Sequence, residues 1–329
     1  MSVGQPFDEI LANYKSVINR HIEQYLTVKK PFTLYEPMRY ASSSGGKQLR
    51  PILVLLGCEA VGSSWERALN AAVALELVHN FSLVHDDIMD HDELRRGRKT
   101  VHKKWDENVA ILAGDALLVM AYAILARTQT PHLQRIFAEF SLGILRVCEG
   151  QALDKEFESR ETVQLEEYWE MIDKKTAELF SVACALGGLI GDGTEQHIAA
   201  LKRFGCRLGR AFQIQDDLLD IFANETVLGK DIGSDLQENK KTFLILHALQ
   251  KGAQDDQKFL KQLLGKNPIT ADDLEAAMHI FERAGTVQSA KELLRQNFKD
   301  AREALEYLPK STARDLLFYL TLQIEQRRS

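Results

Sequence analysis

Proline and glycine are scarce, with 7 and 20 in 329 residues. A sheet protein needs a turn roughly every 8 to 12 residues, so this chain reads as long helices instead. Cysteine is scarcer still. Cys58, Cys148, Cys184 and Cys206 lie far apart in apolar stretches, with no CxxC pair and no His at finger spacing. That excludes a zinc finger or a disulfide scaffold and reads as reduced core residues of a cytoplasmic protein. Positive charge is not in excess either, since 41 Lys and Arg stand against 47 Asp and Glu for a net charge of -6. No global basic field gathers nucleic acid or an anionic membrane, and an anionic substrate has to be captured locally. The opening MSVGQPFDEI carries Asp8 and Glu9 and no apolar run, which excludes a secretory or transit leader. The uncharged run Leu179 to Gly191 falls short of the ~20 residues of a spanning helix. The expectation is a cytoplasmic chain with no membrane span and no nucleic-acid partner.

Hydrophobic residues make up 45% and charged ones 27%, the composition of an ordinary globular protein. Phe7, Ile10, Leu11, Tyr14, Val17, Ile18 and Ile22 recur at helical spacing over 6–28. The same signature predicts helices at 32–43, 51–61, 64–94, 105–127, 131–156, 163–190, 194–223, 240–251, 255–265, 270–283, 286–306 and 309–327. Two segments break it, Ser42 to Pro51 and Ala223 to Lys241, and read as functional loops. No Pro/Gly/Ser-rich tether divides the helices, so the expectation is all-α, one domain over 1–329.

Phe81–Asp90 (FSLVHDDIMD) is echoed by Phe212–Asp220 (FQIQDDLLD). At 100° per residue Asp86, Asp87 and Asp90 fall at 0°, 100° and about 40°, on one arc of a helix. Asp216, Asp217 and Asp220 repeat the spacing, with Gln213 inside the arc. One such motif reads equally well as a solvated acidic face. Two, both in apolar helical context, read as facing walls that need a cation between them. Magnesium suits all-oxygen ligands and is usually held by one or two carboxylates plus phosphate oxygens.

Cations to hold phosphate are present as well. The loop Gly45, Gly46, Lys47, Gln48, Leu49, Arg50, Pro51 sets exposed amides and two basic side chains before a helix, an anion site. It lacks the spacing of a Walker A loop. His79 lies two turns before Asp86, within about 20° of its face. After the first motif come Arg95 and Arg96, expected at a helix C-terminus ended by Gly97. Lys174, Lys175 and Thr176 sit in a helix, and Lys230 and Lys240 bracket the loop after the second motif. Each alone reads as solvated charge; together they suffice for two separate diphosphates.

In order along the chain, GGKQLRP, His79, DDIMDHDELRRG, GDALL, GQALD, KKTAELF, FQIQDDLLD and GKDIGSDLQENKKT resemble the trans-isoprenyl diphosphate synthases, in particular the short-chain farnesyl and geranylgeranyl group. The resemblance runs from about Gly45 to Lys240. It implies the isoprenoid synthase fold, a bundle of about a dozen helices around a deep central cavity. It implies head-to-tail condensation of isopentenyl diphosphate with dimethylallyl, geranyl or farnesyl diphosphate, with loss of pyrophosphate. Asp86, Asp90 and Asp216 match metal ligands, with Asp87, Asp217 and Asp220 ligating through water or supporting them, for three Mg2+ per site. Arg95, Lys175, Lys230 and Lys240 match residues that contact the allylic diphosphate. Gly46, Lys47, Arg50, His79 and Arg96 match the grip on isopentenyl diphosphate. Thr176 and Gln213 match positions that stabilise the allylic cation, and the released pyrophosphate takes the proton. The 223–241 loop is the expected lid. Most relatives are homodimers, and the apolar stretch Val109 to Ala126 is the expected seam.

Side chains one turn before the first aspartate floor the growing chain in this family, here bulky Phe81 and small Ser82. Together with the short DDxxD, that pair is similar to archaeal-type geranylgeranyl synthases. Aromatics at both positions would mean farnesyl products, and small residues at both would mean longer chains. A class I terpene cyclase would replace the second motif with an Asn/Asp, Ser/Thr, Glu triad. A noncatalytic partner subunit would lose one or both motifs.

Overall fold

The apolar run from Ala71 to Val78, broken only by Glu76, makes a helix segment buried on every side, as such composition requires. It is part of α4, Leu69–Met89, in a computed structural model that describes residues 5–43, 45–222 and 233–326. Before it come α1 (Gln5–Tyr25), α2 (Phe32–Ser42), α3 (Leu49–Ala60) and a 3-10 turn (Trp65–Ala68). After it come a hairpin, β1 (Leu94–Arg95) and β2 (Arg98–Lys99), then α5 (Val101–Lys104), α6 (Glu107–Leu125) and α7 (Leu133–Ser159). Then follow α8 (Leu165–Ile172), a π-helical turn (Asp173–Ala177), α9 (Glu178–Ile190) and α10 (Glu195–Phe222). The remaining described helices are α11 (Ser234–Gln237), α12 (Phe243–Lys251), α13 (Gln254–Leu263), α14 (Ala271–Arg283), α15 (Thr286–Leu305) and α16 (Thr312–Glu325). The all-α expectation holds.

The chain forms two compact units. One comprises Met1–Leu142, Phe180–Phe204 and Ala304–Leu320; the other comprises Gly143–Leu179, Gly205–Glu303 and Thr321–Ser329. In the first, α4 packs against α3 and α6, and α2 packs on α6. Val84, Val101 and Ala110, joined by Tyr40, Ile88 and Trp105, pin the C-terminal end of α4. In the second, Phe157, Tyr168, Met171, Ile172, Ile214, Leu244, Ile245 and Phe281 form the core.

Several boundaries differ from the sequence expectation, the clearest of them for a local reason. The helix expected over 64–94 ends at Met89, because His91 adopts φ +55° and the hairpin follows. Arg96 and Gly97 have φ +54° and +71°, the two positive values of a type I′ two-residue turn, at which glycine costs least. Arg95 and Arg96 therefore do not lie at a helix C-terminus; one is in a strand and the other at the tip of a turn. The expected 163–190 helix is interrupted by the π turn at Asp173–Ala177. The helix expected from 105 starts two residues later, at Glu107, because Asp106 precedes it and its side chain accepts from the Val109 N–H at 2.9 Å, a standard N-cap. The last helix begins at Thr312 rather than 309.

Among the described residues α6, not Leu179 to Gly191, is the one helix long and apolar enough to cross a membrane by length and composition. Its inner face packs against α4, while Ile111, Leu112 and Val119 are 40%, 58% and 69% exposed.

Candidate active site

The two aspartate motifs share one burial pattern. At the end of α4, Asp86 and Asp90 are half-buried and Asp87 is buried; at the end of α10, Asp216 and Asp220 are half-buried and Asp217 is buried. The 100° step between adjacent helical residues carries the middle aspartate away from its partners and into the protein. The expected common face is thus divided in each motif into two outer carboxylates and one inner one.

In the first unit, Asp90 caps α4 and its N–H bonds to the Asp86 carbonyl at 2.9 Å. The inner Asp87 accepts from Arg95 Nε, and Arg95 also donates to Asp92 at 3.0 Å. Burial pushes the Asp87 carboxyl up to about 6 against the pull of Arg95. Arg96 turns the other way at the hairpin tip. It donates to the Gly45 carbonyl, and its guanidinium lies where a side chain at Gly46 would begin. Lys47 is exposed in the same loop, and Gln48 (φ +51°) turns the chain into α3. Arg50, half-buried on the first turn of α3, lies with Nη1 3.3 Å from His79 Nε2 and stacks on the Phe180 ring at 4.6 Å. A guanidinium can only donate, so His79 Nε2 is the acceptor and its proton sits on Nδ1. Burial, then the charges of Arg50, Arg96 and Arg95, pull the imidazole well below its ordinary value. At neutral pH His79 is an uncharged N–H donor.

Glu76 belongs to this group, and sequence reasoning missed it. Its only signal was a lone charge inside an apolar run. It is 4% exposed and accepts a hydrogen bond from Gln48, while Oε2 has no partner. Burial pushes it up to about 7 against the attraction of Arg50 and Arg96. An unfolded Glu ionises near its ordinary value, so the native state holds an extra proton between about pH 4.5 and 7, and stability falls as pH rises through that window. Glu76→Gln removes this penalty. It raises native stability at pH 8 by on the order of 3 kcal/mol, at 1.36 kcal/mol per pKa unit, and changes it little at pH 5. Urea denaturation at both pH values checks this, and an equal effect at both would contradict it.

Phe81 is half-buried, its ring edge-on to that of His85 at 4.8 Å between centroids. Ser82 Oγ folds back onto the His79 carbonyl at 2.9 Å.

In the second unit, the π turn carries Lys174, Lys175 and Thr176; single π turns inside helices frequently mark functional sites. A Cβ at Gly150 on α7 would collide with the Lys175 backbone, so glycine there permits the close approach. Lys175 Nζ pairs with Asp154 at 2.6 Å, a partner sequence reasoning did not single out. Thr176 Oγ1 donates to Gln213 Oε1 at 2.8 Å, and Gln213 Nε2 donates to Asp217 at 2.9 Å. Asp217 also accepts from Tyr168 Oη at 2.7 Å and from the Phe243 N–H at 3.2 Å. Burial, reinforced by Asp235, pushes Asp217 up to about 7. Asp220 accepts from Ser234 Oγ at 2.8 Å and from the Asp235 N–H at 3.3 Å. Burial raises both Asp220 and Asp235, and the Asp220 charge raises Asp235 further. Lys240 pairs with Glu238 and lines a cavity of about 90 Å³ with Asp154, Lys175, Gln213 and Asp217. Lys230, and the expected lid from 223 to 232, lie outside the described residues.

Among the described residues, no three His, Cys, Asp or Glu side chains converge closely enough to hold a metal unaided. The donor set is nonetheless all oxygen, and magnesium takes only one or two protein carboxylates when phosphate oxygens and water complete its shell. The residues fit a metal that arrives with a diphosphate.

A profile of the polyprenyl synthetase family matches residues 31–281. The geranylgeranyl diphosphate synthase of Methanosarcina mazei is 40% identical over 315 residues, 95% of each chain. The geranylfarnesyl diphosphate synthase of Natronomonas pharaonis is 37% identical over 96% of each. The crystal structure of geranylgeranyl pyrophosphate synthetase from Pyrococcus horikoshii superposes with a TM-score of 0.93 at 41% identity, covering 98% of this chain and 100% of that one. With the profile spanning both aspartate motifs and the fold shared at this identity, the chain belongs to the polyprenyl synthetase family.

Proposed function

We propose that this chain is a prenyltransferase that condenses isopentenyl diphosphate head to tail (1′-4) with dimethylallyl, geranyl and farnesyl diphosphates, with geranylgeranyl diphosphate as the end product. The observation that carries this is the repeated motif in one burial pattern, Asp86/Asp87/Asp90 and Asp216/Asp217/Asp220, in a chain that retains Arg50 and His79 as a pair. A cyclase has no need of that pair, and a noncatalytic subunit has no need of both motifs.

The outer carboxylates Asp86, Asp90, Asp216 and Asp220 are the candidates to hold Mg2+, three ions per site, with an allylic diphosphate. When bound, Mg2+ supplies charge neutralisation to the departing diphosphate. The inner carboxylates have a supporting part: Asp87 aims Arg95, and Asp217 fixes Tyr168, Gln213 and the start of α12. Arg95, Lys175, Lys230 and Lys240 bind the allylic diphosphate. Its C1–O bond breaks to leave an allylic cation. Gly46, Lys47, Arg50, His79 and Arg96 bind isopentenyl diphosphate, with the neutral His79 donating from Nδ1. Carbon 4 of that substrate attacks the cation, and the released pyrophosphate takes a proton from carbon 2. Thr176 and Gln213, locked to each other, present oriented dipoles where the charge develops. Phe81 and Ser82 set the length of the product.

The exposed Ile111, Leu112 and Val119 of α6 supply an apolar seam for a homodimer. The enzyme works in the cytoplasm as one domain over 1–329, and the family match across both units supports that reading. Thermal melting tests metal-assisted binding. A nonhydrolysable allylic diphosphate analogue at 100 times its Kd, with Mg2+, stabilises the protein by about 2.7 kcal/mol, and EDTA removes the effect. Equal stabilisation in EDTA would contradict it.

A further inference from the structure

One cavity in the second unit is distinct from the aspartate motifs. It has a volume of about 510 Å³ and lies between the segment 158–165, Asn239, Lys241 and helices α12 and α13. That volume is in the usual range for a small-molecule site, roughly 300–1,000 Å³.

Its chemistry is specific. Lys241 is 5% exposed. Among the described residues its ammonium donates only to Asn239, to the carbonyl at 3.1 Å and to Oδ1 at 2.6 Å. Both acceptors are neutral, and an ammonium has three protons to place. Glu158, the carboxylate whose charge acts on Lys241, is bonded to Lys155 at 2.8 and 3.1 Å. Asn239 and Glu158 line this cavity and not the smaller one beside Asp217, so the ammonium end of Lys241 belongs to this side. Buried charges are ordinarily paired with an opposite charge. Burial pulls Lys241 below its ordinary value against the attraction of Glu158. The other charged lining groups do not supply a counter-ion. Arg160 pairs with Glu156 and Glu167, Lys261 is exposed and cationic, and the carboxylate of Glu161 is on the exposed rim.

The apolar part of the lining is aliphatic, made by Val163, Leu165, Leu246, Leu249 and Leu264, with no aromatic ring. A flat base or ring has nothing to stack on there, whereas a flexible hydrocarbon chain does.

We propose that this cavity is a binding site for a small anionic amphiphile, a phosphate or carboxylate head on Lys241 with an aliphatic tail along α12. The site does not depend on the assignment of the aspartate motifs. Its strap does lead to them, because Thr242 follows Lys241 and the Phe243 N–H donates to Asp217. If the proposed function holds, an occupant has a short route for modulating turnover.

Isothermal titration of the full chain in EDTA, with probes below their micelle concentrations, tests the proposal. Decanoate and decyl phosphate distinguish the two head groups; decyltrimethylammonium and inorganic phosphate are the controls. At least one of the two acids is expected to bind, and neither control. Lys241→Met weakens binding at least tenfold, Lys241→Arg retains it, and Thr162→Trp, which fills the cavity from its exposed rim, abolishes it. The two latter variants keep the test decisive if Lys241→Met does not fold. Binding of the cationic probe as tightly as the acids, binding of inorganic phosphate as tightly as decyl phosphate, indifference to Lys241→Met and Thr162→Trp, or no binding by either acid would each overturn it.

Discussion

Asp86→Ala lowers kcat by about 10³-fold. A metal-held diphosphate draws several kcal/mol of charge stabilisation from its ion, and each ~1.4 kcal/mol is a decade in rate. Asp216→Ala has a comparable effect, and both variants shift the Mg2+ requirement upward. Asp87→Asn behaves differently. Asp87 is buried and spent on Arg95, so its loss misaims one guanidinium rather than removing a ligand, and costs about tenfold, the scale of one weakened hydrogen bond to a charged group. Steady-state kinetics at several Mg2+ concentrations separate the two roles. Equal losses for Asp86→Ala and Asp87→Asn would contradict the division into outer and inner carboxylates.

Phe81→Ala lengthens the product. The ring rests edge-on against His85, one turn before the first aspartate, and Ser82 beside it is too small to take over as a floor. Hydrophobic pockets discriminate by about 10- to 200-fold per methylene, so removing a whole phenyl raises the ratio of twenty-five- to twenty-carbon product by at least about tenfold. Reverse-phase separation of the dephosphorylated products checks this, and an unchanged distribution would remove Phe81 from the role of floor.

Much of this was legible in the amino-acid sequence because helices announce themselves by spacing. The apolar repeats place α1 and α10 to within three residues and α4 to within five at each end, and the i, i+1, i+4 aspartates stand out at the ends of the latter two. The hairpin was not legible from periodicity, since two-residue strands have no period. Its one signal was the Arg96-Gly97 pair between Leu94-Arg95 and Arg98-Lys99, a turn dipeptide. Missing it put Arg95 and Arg96 on one helix end, when the turn sends the first to Asp87 and the second to Gly45. The π turn at Lys174–Thr176 was equally hidden, because it changes the register of a helix without changing its composition. Glu76 and Asp154 matter through residues distant in the chain, Arg50 and Lys175, and helical spacing carries no information about such pairs.

The most direct test is mass spectrometry of the products formed by purified protein with Mg2+, isopentenyl diphosphate and, separately, dimethylallyl, geranyl and farnesyl diphosphates. A twenty-carbon diphosphate from every starter is the predicted result. The absence of condensation with all three, in a protein that still binds them, would contradict the account.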